Sequence, residues 1–341
     1  MNVYVFYFFL SPFVYTIYIY FNCNHLKYYI LYLFKDTSIH ILYKMVVIGI
    51  CGITGAQGGA VADACLKQDY SVKGLTRNTS SDKAVQYKQK GVELVQADYD
   101  NTNSLKGVFD GCDAVFIMTN FWEHMDAKRE YKQAKAIIDS AIESKVPHLV
   151  WSSLEDTRDY KDNIVYIGEY KVPHLDEKGM ISKYLKTLDV NATHLYTSFY
   201  YENFTGMMKL TKDEDGIRRL CLPMSQSILP IVTVEDIGKM VHKVVKDKIY
   251  GNVGVASDHL TGSDMAKTFS EALGEPVEYV PVPASVYRGF GFPGCEDIGN
   301  MFEFKDVHNK EFCQSRNMED VKKLISPVSF KEWCVLNKAL L

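Results

Sequence analysis

A chain of 341 residues, 47% hydrophobic and 23% charged, has ordinary globular composition, with room for one large α/β domain and a smaller one. A formal net charge of −4 offers no overall basic surface, so no nucleic-acid partner is directly indicated. The eight cysteines form no CxxC pair and no HExxH occurs, so no metal site is expected, and the thiols read as reduced ones of a cytoplasmic, and also nuclear, protein.

Residues 1–44 stand apart. They are almost all Phe, Tyr, Ile, Leu, Val and Asn, with no Ala or Gly and a first charge at Lys27. Three readings stay open for this extension. The start codon could be set too far upstream, since Met45 stands directly before a clean strand. Residues 3–21 could be a membrane anchor, being long enough for a span. Or the segment could be a disordered or peripheral tail. A membrane is expected as a partner only under the second reading.

From Met45 onward short apolar runs alternate with longer amphipathic stretches, the pattern of βαβ units. Strands are predicted at 46–51, 71–76, 92–96, 114–119 and 148–152, with helices at 60–68, 82–90, 104–109 and 125–144. Ile137, Ile138, Ala141 and Ile142 give the last of these a core-facing stripe. Right-handed crossovers then imply a Rossmann-type, doubly wound parallel sheet. Further on, strands are expected at 192–196, 228–232 and 253–256, and helices at 176–188, 234–246 and 261–273. The tail from 281 is rich in Pro, Gly and Phe and weakly periodic. The predicted organisation is an α/β chain with a cofactor-binding Rossmann core at 45–195. A smaller α+β C-terminal domain for substrate or partner fills most of 196–341, and segments such as 228–256 return to the core.

Gly52, Gly55 and Gly58, with Thr54 and Gln57 between them, leave a strand and open a helix. That is the setting of a dinucleotide phosphate turn: tight exit, close backbone approach to pyrophosphate, and helix packed on strand. The helix start adds free N–H groups and a favourable dipole. A glycine-rich turn without ligand is the bland alternative. An NAD-preferring site normally ends its second strand in an acid for the ribose hydroxyls. Here the segment is Leu75-Thr76-Arg77-Asn78-Thr79, and Arg77 can pair with a 2′-phosphate, so NADP(H) is the expected cofactor. Arg77 can also be read as a solvated surface residue.

Beyond this turn, the motifs Gly52-Ile53-Thr54-Gly55-Ala56-Gln57-Gly58-Gly59, Thr119-Asn120-Phe121-Trp122-Glu123 and Trp151-Ser152-Ser153-Leu154-Glu155 resemble the NmrA-like family of atypical short-chain dehydrogenases. So do the stretches 172–179, 201–204, 230–238 and 302–304; the resemblance runs from Met45 to about residue 330 and is nearest to the NADP(H) redox-sensor proteins of that family. It implies that Gly52 to Gly58 contact pyrophosphate and Arg77 the 2′-phosphate. Asp98 and Tyr99 would sit by the adenine, and Thr119, Asn120 and Phe121 beside the nicotinamide half. Lys178 would hydrogen-bond the nicotinamide ribose, and Tyr201, Glu202 and Asn203 would line the cleft above it. Ser152 and Ser153 end the fifth strand where the family's polar residues face the nicotinamide.

Short-chain dehydrogenases carry Tyr-x-x-x-Lys on the helix after the fifth strand, the lysine easing proton exchange by the tyrosine. Here Lys178 is in place, but His174 stands four residues earlier. His174 reads as a proton donor, as a residue orienting cofactor or partner, or as a surface histidine. The string Tyr131-Lys132-Gln133-Ala134-Lys135 falls on a different helix and reads as a solvated face. Lys178 and His174 are therefore the catalytic candidates. The expected function is an NADP(H)-binding redox sensor with little turnover, with a regulatory protein partner and a homodimer as its assemblies. The alternatives are an NADPH-dependent reductase of a quinone or small carbonyl compound, and an interaction module that has lost the cofactor.

Overall fold

Four-residue apolar runs that are buried on both faces cannot be surface strands, and here they form the middle of a parallel sheet. The computed structural model describes residues 45–341 except Met207 and Thr211, and before them the strands Asn2–Leu10, Phe13–Phe21, Leu31–Tyr32 and His40–Ile41. In the N-terminal unit Asn2–Leu10 pairs antiparallel with Phe13–Phe21. Among the described residues no helix is long and apolar enough to cross a membrane.

The second unit, Val47–Leu341, carries the site. Its strands and helices begin with β1 (Val47–Ile50), α1 (Ala56–Leu66), β2 (Ser71–Thr76), α2 (Asp82–Gln89) and β3 (Glu93–Gln96). They continue with β4 (Ala114–Ile117), α3 (Ala127–Glu143), β5 (Leu149–Ser153), α4 (Pro173–Lys186) and β6 (Ala192–Tyr196). Then come β7 (Phe199–Tyr200), β8 (Arg218–Leu222), β9 (Leu229–Val232), α5 (Val234–Asp247) and β10 (Gly251–Gly254). The main sheet has seven strands, all parallel, in the order β10-β6-β5-β4-β1-β2-β3. The order reverses at β1, which pairs with β2 on one side and β4 on the other. In such sheets the ligand crevice opens at the carboxyl ends of the strands flanking that reversal.

Helices cover both faces. Ala134, Ile137, Ile138 and Ala141 of α3, with Ile181 and Leu185 of α4, bury Val115, Ile117 and Trp151 of the sheet. On the other face α1 and α5 cross so closely that a Cβ on Gly238 would lie 2.3 Å from the Ala60 carbonyl. The expected helix at 104–109 is instead a 3-10 turn at Thr102–Leu105, because Gly107 turns the chain at φ +68°.

A smaller body rests over the strand ends. It holds a three-stranded sheet of β7, β9 and β11 (Asp258–Leu260), and β8 paired with β12 (Val277–Pro281). Of residues 228–256, α5 and β10 join the main layers while β9 stays in this small sheet. Helix α6 (Gly262–Leu273) starts on a reciprocal Thr261–Asp264 cap. The tail is helical: α7 (Ala284–Tyr287), α8 (Cys295–Val307), α9 (Asn309–Gln314), α10 (Met318–Leu324) and α11 (Phe330–Leu336). Helix α8 hides its periodicity because it is buried almost all round, from Asp297 and Ile298 through Asn300, Met301 and Phe302 to Lys305.

Candidate functional site

The crevice holds a cavity of about 530 Å³ that runs from the glycine turn to the face of α8. Gly52 sits at φ +66°, where a side chain would be strained. A Cβ on Gly58 would lie 2.2 Å from the Gly52 carbonyl oxygen, so only glycine lets α1 press onto the turn. The first turn of α1 has no side-chain cap and no acid, which leaves its N–H groups for an anion. Tyr99 lies behind the turn, its hydroxyl accepting from Gly52 N at 2.8 Å, and burial holds that phenol well above its usual range. Gln57 spends its side chain inside the protein, accepting from Ser152 Oγ at 2.8 Å and donating to the Tyr200 hydroxyl. Ser153 bonds Ser182 at 2.6 Å. Both serines expected to face the nicotinamide are thus used within the protein.

At the outer end, Arg77 forks onto Glu123, with a second contact of 3.2 Å from Nη2 to Oε2. The pair bridges the loops after β2 and β4 across the mouth of the crevice, and both partners are exposed. Asp98 also lines the cavity, where its carboxylate caps a turn by accepting from Asp100 N at 3.0 Å.

The inner wall carries a buried charge network. Lys178 Nζ donates to Glu130 Oε1 at 2.8 Å, to the Thr119 carbonyl at 3.1 Å and to Thr119 Oγ1 at 3.2 Å. Those three contacts use all three ammonium protons. Thr119 Oγ1 donates to the same Glu130 oxygen at 2.6 Å. His174 stands one turn away on α4. Its Nδ1 bonds Asp297 Oδ1 of α8 at 2.5 Å, while its backbone N–H donates to Oδ2 of the same carboxylate at 3.2 Å. The imidazole packs 4.8 Å from the Trp122 ring, and Phe121 stands edge-on to Trp122 at 5.3 Å. With Nδ1 committed to Asp297, Nε2 is the nitrogen left for the cavity that His174 lines.

Most residues singled out from the sequence line this one cavity: Gly52, Thr54, Gly55, Gln57, Arg77, Asp98, Tyr99, Thr119, Asn120, Phe121, His174, Lys178 and Asn203. Tyr201 does not. It is fully buried against Phe330 and Trp333, with its hydroxyl donating to the Val328 carbonyl at 3.2 Å. The chain passes from strand to 3-10 turn here, and it is Tyr200 that meets the cavity. Glu202 also faces away, accepting from Thr233 Oγ1 at 2.7 Å at the start of α5. Of the string from Tyr131 to Lys135 only Gln133 lines the cavity; Tyr131 and Lys135 lie outside it, with Lys135 paired to Asp139 at 2.5 Å. Glu130, Asp297 and Lys305 are site residues that the sequence reading did not single out, although Lys305 directly follows the stretch 302–304.

This architecture, a parallel sheet whose reversal point opens under a glycine turn, defines a Rossmann-type dinucleotide-binding fold. The chain belongs to the NmrA-like family, whose pattern it matches over residues 44–334. It is 30% identical over 290 residues to the NmrA-like family domain-containing oxidoreductase cpsB of Aspergillus campestris, covering 78% of this chain and 84% of the relative. The oxidoreductase lnbB of Aspergillus flavus is 29% identical over 279 residues, covering 74% and 81%. Among solved structures, the negative transcriptional regulator NmrA in complex with NADP superposes with a TM-score of 0.71 at 20% identity, covering 86% of this chain and 95% of that one. NmrA has also been crystallised with NAD. The Citrobacter sp. triphenylmethane reductase complexed with NADP(H) gives 0.68 at 22% identity, covering 86% and 100%.

Proposed function

We propose that this protein is an NADP(H)-dependent reductase in which His174 supplies the proton. The observation that carries the reading is His174 on the cavity wall with its Nδ1 bonded to Asp297. The cofactor fits the residues present: the Gly52 to Gly58 cradle has no room for side chains, and α1 offers an uncapped N-terminus. Gly52, Thr54, Gly55, Gln57 and Gly58 would hold the pyrophosphate, Arg77 a 2′-phosphate, Asp98 and Tyr99 the adenosine end, and Thr119, Asn120, Phe121 and Asn203 the nicotinamide end. When bound, NADPH supplies a hydride. The protein's part is then to neutralise the oxyanion that forms on a carbonyl or quinone acceptor. His174 can do so from Nε2, because Asp297 holds Nδ1 and orients the ring. Phe121 and Trp122 pack beside the imidazole on the cavity wall. Lys178 contributes by ordering Thr119 and Glu130, and exchanging one of its three bonds would bring it to the nicotinamide ribose.

Support for this reading comes from relatives named oxidoreductases as well as from the dyad. Steady-state NADPH oxidation across quinones and aldehydes tests it. Turnover that falls 100-fold or so in His174→Gln, with the NADPH affinity retained, is the expected result; turnover indifferent to His174 would end the proposal.

A second reading is a redox sensor with little turnover, in a cytoplasmic or nuclear setting, acting through a regulatory partner or a homodimer. What favours it is Lys178, whose protons are all engaged, together with the missing tyrosine. Absent turnover with every acceptor, combined with a change in molecular size between NADP+ and NADPH, would establish this reading over the first.

A further inference from the structure

The same cavity also reaches residues of α8 to which the reading above gives no cofactor contact. One face of α8 presents Ile298, Met301 and Lys305 at helical spacing, and Leu154, Phe199 and Met208 lie among the other walls. Of these six residues Lys305 alone is polar.

Lys305 is only 4% exposed, yet among the described residues its Nζ has no hydrogen-bond or ion-pair partner. It sits instead 5.6, 5.7 and 5.3 Å from the ring centres of Phe199, Phe302 and Phe312. The charged neighbours are already engaged with each other. Arg316 forks onto Glu155, with Nη2 to Oε2 at 3.0 Å, and stacks 3.7 Å above Phe312. Burial first, then the Arg316 charge, pushes the Lys305 amine down to about 7, and the Glu155 carboxylate opposes this. An amine held in an apolar wall with no acceptor is an unfavourable arrangement that an incoming acceptor relieves.

We propose that this inner pocket is the acceptor-compound site, taking a ring-sized apolar compound that bears one carboxylate or similar oxyanion, with Lys305 Nζ as its anchor. The aromatic rings and methionines supply the apolar contact, and the ammonium supplies the charged one. The inference rests on the reading that NADP(H) fills the other half of the cavity.

The test uses the full chain saturated with NADP+ and titrated calorimetrically with 1-naphthoate and with its neutral counterpart, 1-naphthalenemethanol. Naphthoate should bind more tightly by roughly 10-fold or more, the worth of one charge-assisted hydrogen bond. Lys305→Met should erase that preference while NADP+ affinity and the circular dichroism spectrum stay unchanged, and Lys305→Arg should keep part of it. Equal affinities, no naphthoate binding, or a preference surviving in Lys305→Met would each overturn the proposal. Failure to bind NADP+ would count against the cofactor reading alone, and the same titration on the cofactor-free chain would still decide the role of Lys305.

Discussion

At the scale of single residues, the pairing of Arg77 with Glu123 sets up a competition at the mouth of the crevice. A 2′-phosphate would have to draw the guanidinium from that carboxylate. Arg77→Glu should therefore weaken NADPH roughly 10- to 100-fold and NADH far less, the range for one charge-assisted contact, as read by calorimetry with both cofactors. Equal losses would show that Arg77 does not recognise the phosphate. Glu177 allows a different prediction. It is fully buried on α4, and burial first, then the Glu130 carboxylate, pushes its carboxyl up to about 7. A raised carboxyl is neutral in both folded and unfolded chains below about 4.5, so it costs nothing there. Between that value and 7 the unfolded chain ionises first, and stability falls as pH rises. Glu177→Gln should thus add up to about 3 kcal/mol at pH 8 and almost nothing at pH 4, measured by urea unfolding.

At the scale of elements, the glycine turn and α1 act as one piece. Gly58→Ala would drive a methyl group into the Gly52 carbonyl, and relief requires α1 to lift from the turn. A stability loss of about 1–3 kcal/mol is expected, together with loss of NADP(H) binding, because the N–H groups of α1 move with the helix. Unfolding and titration of the same variant would check both. This turn was legible from sequence because its geometry is local: strand, three glycines and helix are consecutive. The same holds for α3, whose apolar stripe was visible at helical period. Helices α7 to α11 were not legible. They are short, and α8 is buried nearly all round, so no polar face marks its period. Tyr201 shows the limit most sharply. A one-residue choice at the end of β7 sends Tyr200 to the cavity and Tyr201 to the core, and the sequence alone offers no face to choose by.

At the scale of the whole molecule, the C-terminal tail is bound to the main sheet through Arg316. This fully buried guanidinium bonds Glu155, just past β5, and donates from Nε to the Thr197 carbonyl at 2.9 Å. Nearby, a Cβ on Gly254 of β10 would collide with the Ser315 carbonyl, so the tail backbone lies directly on the sheet edge. Arg316→Ala strands a buried carboxylate and should cost about 3–5 kcal/mol, whereas adding Glu155→Ala should cost much less than a second such penalty. Chemical unfolding of the two single variants and the double variant measures the difference. That docking is also what completes the site, since α8 brings Lys305 to the cavity and Asp297 to His174. The sequence by itself determined the alternating α/β layers, the glycine turn, Arg77 at the end of the second strand and the absence of the usual tyrosine. These follow from neighbours in the chain and from period. Only the tertiary structure decided that His174 meets a carboxylate 123 positions away, that the protons of Lys178 are already engaged, and that a buried lysine faces the far pocket. Such pairings depend on how a later set of helices packs across an earlier sheet, and no local pattern records that.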